Sequence, residues 1–208
     1  LTYPGGEDCL YLNIFIHTSH IPVDPGTELP VALWIHGGTY ISGDGSQYDA
    51  QELVNFFDGN VIIVTVNYRL NVFGFFGSTD LRTLDLERGG AGTLGLQDQR
   101  LAMQWVQDNI GAFGGDKDMV TLFGQSAGAG SISCHLTMER SQGLFSAVVL
   151  ESGGFASWIV QNFTYAERVY KNVLEETQCA NLTCLQGLST SELYSASQNV
   201  DPASNLPP

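Results

Sequence analysis

The sequence predicts an α/β fold, a mostly parallel central sheet flanked by helices. Four continuous apolar runs come first: "VALWI" from Val31, "VIIVTV" from Val61, "MVTLF" from Met119 and "AVVL" from Ala147. Each has the length of a strand and lacks a polar face, as strands covered on both sides of a parallel sheet do. Segments of helical spacing lie between them. Strand, helix and strand in that order imply right-handed crossovers.

Each element has its own signal. "LYLNIFIH", residues 10–17, sets Leu10, Leu12, Ile14 and Ile16 against mixed partners, the alternation of an antiparallel strand with one buried face. In "LGLQDQRLAMQWVQDNI" the pairs Leu101/Trp105 and Ala102/Val106 stand four apart, so they are expected to form one buried helical stripe, ended by the glycine of "IGAFGG". "SAGAGSISCHLTM" and "TYAERVYKNVLEET" read as two further helices. "STSE" from Ser189 is a capping box that opens another.

Composition narrows the function. The chain has 208 residues, is 43% hydrophobic and carries a formal charge of −14 with eight Lys and Arg. That balance excludes a nucleic-acid partner, whose phosphates demand clustered cations. No apolar run approaches the roughly 20 residues of a membrane helix. Of the four cysteines, Cys179 and Cys184 bracket a short loop and are positioned for a bridge. "NFT" at Asn162 and "NLT" at Asn181 are glycosylation sequons, and together with the cysteine pair they point to a secretory compartment. The first residue is Leu1 and the last segment, "DPASNLPP", has no helix or strand pattern, so the chain reads as a piece of a longer one.

"VTLFGQSAGAG", residues 120–130, carries the chemistry. A strand ends at Gly124-Gln125-Ser126-Ala127-Gly128 and a helix begins. The turn is tight enough that side chains two before and two after the serine collide, so glycines are expected at both places. The Ser126 hydroxyl is then exposed at the sheet edge, and the Ala127 amide faces a developing oxyanion at the positive end of the helix. Upstream, "WIHGGTYISG" ends another strand in a Gly-Gly turn. The backbone amides of Gly38 and Thr39 are the expected further oxyanion donors. Thr39 stands where a third glycine is common, and its side chain is expected to narrow the acyl site.

A serine nucleophile needs a base, ordinarily a histidine held by a carboxylate. His135, nine residues beyond Ser126 on the same helix, lies on the opposite side and about 13 Å away at 1.5 Å per residue. His36 belongs to the oxyanion loop, where an orienting hydrogen bond is expected. His17 and His20 precede the serine, against the Ser, Asp/Glu, His order of this arrangement. Glu151 ends the next strand, where some hydrolases place the triad acid, and is the one local candidate for it; an ordinary strand-end carboxylate is the favoured reading. The proton acceptor is therefore expected outside this chain, which alone is expected to be inactive.

These residues resemble the type-B carboxylesterases, the family of carboxylesterases, cholinesterases and juvenile-hormone esterases. "EDCLYLNIF", "VALWIHGG", "VNYRLNVFGFF", "GTLGLQDQRLAMQWVQDNIGAFGGD", "VTLFGQSAGAGSISCHL" and "GLFSAVVLESG" match its blocks in order. The resemblance implies that residues 1–208 are the N-terminal part of an α/β-hydrolase domain, incomplete at both ends. It also implies cleavage of small carboxylic esters through a serine acyl-enzyme, without cofactor or metal, in a secreted, endoplasmic-reticulum or cell-surface protein. The triad acid and histidine would lie beyond Pro208. Cys9 would pair with a cysteine before Leu1, Cys179 with Cys184, and Cys134 would be a buried thiol. Ser152 resembles a serine that supports the triad acid, and Gln125 stands where many members carry glutamate, which weakens the case for a choline ester. "GGTY" resembles the loop of neuroligins, so a non-catalytic adhesion or scaffolding protein on the same fold is the alternative.

Overall fold

A computed structural model describes residues 5–24, 26–84, 92–156 and 159–200. Its strands are β1 (Leu12–Phe15), β2 (Leu29–Ile35), β3 (Ile62–Val66), β4 (Gly115–Gln125) and β5 (Ala147–Glu151). Its helices are α1 (Gln51–Phe56), α2 (Asn71–Gly74), α3 (Thr79–Leu84), α4 (Leu94–Asn109), α5 (Ala127–Thr137), α6 (Phe163–Thr177), α7 (Leu182–Gln186) and α8 (Thr190–Asn199). The chain divides into two compact units.

One unit, Leu10–Tyr68 with Leu96–Ile159, holds the sheet. Strand order is β1-β3-β2-β4-β5, with β1 antiparallel to β3 and every other pairing parallel. The four apolar runs are thus the parallel strands, and the alternating run is the antiparallel one. All five residues of β3 are buried, as are Leu33, Ile35, Val120 and Leu122. Each of the aliphatic ones contributes about 1.5–3 kcal/mol of apolar burial. Val54 of α1 packs with Ile63, beside Ala32 and Phe123, on one face. On the other, Ile132 of α5 reaches toward Gly124.

The stripe expected on α4 is corrected. Leu101 is 59% exposed, while Gln99, Met103, Val106 and Ile110 are buried. Val106 is buried as expected, but the four recur at spacings of three and four, so the core-facing stripe runs through Gln99 and Met103 rather than Leu101 and Trp105, and one of its members is polar. A short 3₁₀ turn, Ile110–Phe113, and Gly114 in the left-handed conformation then end the helix.

The other unit comprises Leu1–Cys9, Arg69–Gly95 and Val160–Pro208, within the described residues. Phe76, Tyr170, Val173, Cys179 and Leu185 form its buried cluster. The Tyr170 hydroxyl donates to Asp80 at 2.6 Å. Cys179 and Cys184 are disulfide-bonded, joining the end of α6 to α7. Ser189 and Glu192 close both halves of the capping box on α8.

Candidate active site

Two loops leave the sheet where its winding reverses. From β2 the chain crosses to β3 on one side; from β4 it crosses to β5 on the other. Adjacent β2 and β4 therefore send their connections apart, and the carboxyl ends of strands at such a reversal are the usual place for a ligand. Ile35 of β2, Gly124 of β4 and Leu150 of β5 stand in one cross-strand row. His36 follows Ile35 directly, and Ser126 comes one residue further on, after Gln125.

Ser126 is the hinge between β4 and α5, with φ 53° and ψ −119°. A non-glycine residue in that region carries roughly 1–3 kcal/mol of strain, held only if its surroundings over-determine it. They do: the Ser126 amide donates to the Glu151 carbonyl at 2.8 Å, and the Ser126 carbonyl accepts from the Gly130 amide at 2.9 Å. The flanking glycines allow the approach. A Cβ on Gly124 would meet the Gly128 carbonyl carbon at 2.9 Å, and one on Gly128 would overlap the Ile35 carbonyl. The Ser126 hydroxyl does not cap α5 and the residue is half-buried.

The facing loop bends as sharply. Gly38, Thr39 and Tyr40 have φ of 112°, 54° and 63° in succession. For a β-branched threonine this is a steric outlier. The Gly38 carbonyl accepts from the amides of Ile41 and Ser42, which closes the turn. Gly37 lies against the elbow: a Cβ there would stand 3.3 Å from Ser126 Cβ and 2.9 Å from Gln125 Oε1. Among the hydrogen bonds of the described residues, none is donated by the amides of Gly38, Thr39 or Ala127. Ala127 opens α5, where an amide has no intrahelical acceptor.

His36 has no exposed surface. Its Nδ1 donates to the Gly37 carbonyl at 2.7 Å, and its ring stacks on Tyr68 at 4.4 Å. The Tyr68 hydroxyl in turn donates to the His36 carbonyl at 2.7 Å. Burial pushes the imidazole pKa down, against the raising influence of the Gly37 carbonyl and the Asp44 charge. This is an orienting role. Tyr68 escaped the sequence reading because its partner lies 32 positions away.

The other histidines stand apart from the serine. His135 is fully buried, with Nε2 3.0 Å from Gln99 Oε1 and Nδ1 2.9 Å from the Ser141 hydroxyl. Burial lowers its pKa to about 4, helped by the charge of Arg100. His17 shares a 2.7 Å hydrogen bond with Ser19, and His20 ends a short 3₁₀ turn. Ser152, φ 54°, and Gln125 are exposed at the elbow. Cys134 is half-buried, with its thiol pKa raised by that burial. Asn162 and Asn181 are exposed and cap α6 and α7, accepting from Tyr165 and Cys184 amides. Among the described residues no cluster of His, Cys, Asp and Glu is arranged to hold a metal, and no helix is long and apolar enough to cross a membrane.

Sheet, elbow and glycine loop define an α/β-hydrolase fold. The sequence pattern of the Carboxylesterase family matches residues 2–207, and the chain belongs to that family. It is 39% identical to the para-nitrobenzyl esterase of Bacillus subtilis over 93% of its own length and 37% of that protein's. It is 35% identical to mouse Neuroligin-2 over 95% of its length and 25% of that protein's. A solved carboxylesterase of Geobacillus stearothermophilus superposes with a TM-score of 0.81 at 36% identity, covering 95% of this chain and 41% of that one. The chain thus spans well under half the length of these relatives.

Proposed function

We propose that this chain carries the nucleophile and the oxyanion-binding backbone of a serine carboxylic ester hydrolase. Ser126 Oγ attacks the ester carbonyl, and the amides of Gly38, Thr39 and Ala127 receive the tetrahedral oxyanion. Each such donor is worth about 3 kcal/mol of barrier. The oxygen–carbon bond to the alcohol then breaks, leaving an acyl-Ser126 that water hydrolyses. The base and its carboxylate come from residues outside this chain, in keeping with histidines that are all engaged or placed elsewhere. Ser152 and Gln125 border the nucleophile and shape its surroundings. The reaction needs no metal or cofactor, and a small ester is the substrate.

The carrying observation is the strained Ser126 at the β4–α5 turn, with the Gly37 loop packed against it and, among the described residues, no hydrogen bond donated by the Gly38, Thr39 or Ala127 amides. Its test is labelling of the full-length protein by a fluorophosphonate, expected for the wild type and absent in Ser126→Ala. A wild-type protein that resists labelling overturns the reading and favours the second one, a non-catalytic adhesion or scaffolding protein. The match to Neuroligin-2 and the "GGTY" turn support that second reading, while the intact elbow speaks against it. The disulfide and the exposed sequon asparagines support a secretory or cell-surface location.

A further inference from the structure

We propose that Tyr40 is a positioning residue for the oxyanion loop, tethered through its phenol to a buried polar chain behind the nucleophile helix. The inference rests on the ester-hydrolase reading and adds residues to it that touch neither serine nor substrate. Tyr40 directly follows Thr39 and shares its left-handed backbone. Two consecutive non-glycine residues in that region hold their conformation only if something outside the turn fixes them. The phenol supplies the fixing point, hydrogen-bonding to the Ser131 side chain on α5, with burial raising its pKa to about 12.

The chain continues inward. Gln99 Nε2 donates to Ser131 Oγ at 3.1 Å. That orientation turns Gln99 Oε1 toward His135, so Nε2 of the imidazole carries the proton and donates at 3.0 Å. His135 Nδ1 then accepts from the Ser141 hydroxyl at 2.9 Å. Ser131, Gln99, His135 and Ser141 are all buried, and their hydrogen bonds interlock, so each side chain constrains the orientation of the next. Gly130 makes room for its outer end: a Cβ there would stand 2.6 Å from the Tyr40 hydroxyl oxygen. Ser131 sits five residues after Ser126 on the helix whose first amide faces the oxyanion. The tether therefore fixes the Gly38 and Thr39 amides relative to the nucleophile and Ala127.

The test uses the full-length protein with Tyr40→Phe, Ser131→Ala, the double variant, and the wild type. Steady-state kinetics on para-nitrophenyl esters are read beside backbone hydrogen exchange in the 36–43 segment. Tyr40→Phe is expected to lower kcat by roughly ten- to a hundred-fold, less than outright loss of an oxyanion donor. KM should stay within about two-fold, because the ground-state ester does not use the hole fully. Exchange at the loop amides should rise. Ser131→Ala should do the same, and the double variant should lose little beyond either single change. Unchanged kcat and exchange in Tyr40→Phe, or strictly additive losses, overturn the tether. A wild type that turns over no ester overturns the ester reading instead, and the exchange comparison then decides whether the phenol holds the loop.

Discussion

The amide of Ser126 donates to the carbonyl of Glu151 at 2.8 Å, so the backbone of the proposed nucleophile is pinned to the neighbouring strand without help from its side chain. Ser126→Ala should therefore leave the fold in place while removing the reactive oxygen. Ester turnover by the full-length protein is expected to fall by roughly 10⁴- to 10⁶-fold. A melting temperature within a few degrees of wild type, measured by calorimetry, separates that loss from unfolding.

Gly128→Ala should behave in the opposite way. Its added methyl overlaps the Ile35 carbonyl, a backbone atom of a central strand that has no room to shift. Overpacking of this kind costs about 3 kcal/mol or more. Denaturant titration should show the midpoint drop, with loss of soluble protein as the extreme outcome.

Thr39→Gly should relieve the left-handed strain at φ 54° and stabilise the loop by about 1 kcal/mol. It also deletes the side chain next to a proposed oxyanion amide. An ester panel of rising acyl length should shift toward bulkier acyl groups; an unchanged preference would place the acyl pocket elsewhere.

His135 links stability to acidity. Its folded pKa is lowered to about 4 while the unfolded value is about 6.5, so between those values the unfolded chain binds a proton that the folded one refuses. Stability is then complete above pH 6.5 and declines as pH falls toward 4, by about 1.4 kcal/mol per pH unit at the steepest. Urea unfolding across that window should show the slope, and His135→Gln should flatten it.

Asn181 accepts the Cys184 amide through Oδ1, which leaves Nδ2 open to a sugar. Asn181→Asp should keep the cap and abolish glycosylation at that sequon. A mass shift on glycosidase treatment of protein from a secreting host, lost at residue 181 in the variant, is the expected result.

Elements set by neighbours in sequence were legible. The strands announced themselves as apolar runs because a covered sheet leaves no polar face, and Ser126 stood out because strand, glycine spacing and helix are all local. The Leu101/Trp105 stripe misled, since Gln99 is buried by bonding to Ser131 and His135, partners more than 30 positions distant. The tethers of Tyr40 and Tyr68 were invisible for the same reason. A hydroxyl's value depends on which distant acceptor the fold brings to it, and no local pattern records that.

Among the described residues β5 hydrogen-bonds to β4 alone, and Val149 is 47% exposed on it. A row of unsaturated peptide groups beside a bare valine is a template for any extended segment in solution. Protein made as this stretch by itself is thus expected to polymerise edge to edge as concentration rises, and Val149→Lys is the substitution expected to keep it monodisperse. Light scattering across a dilution series reads that out.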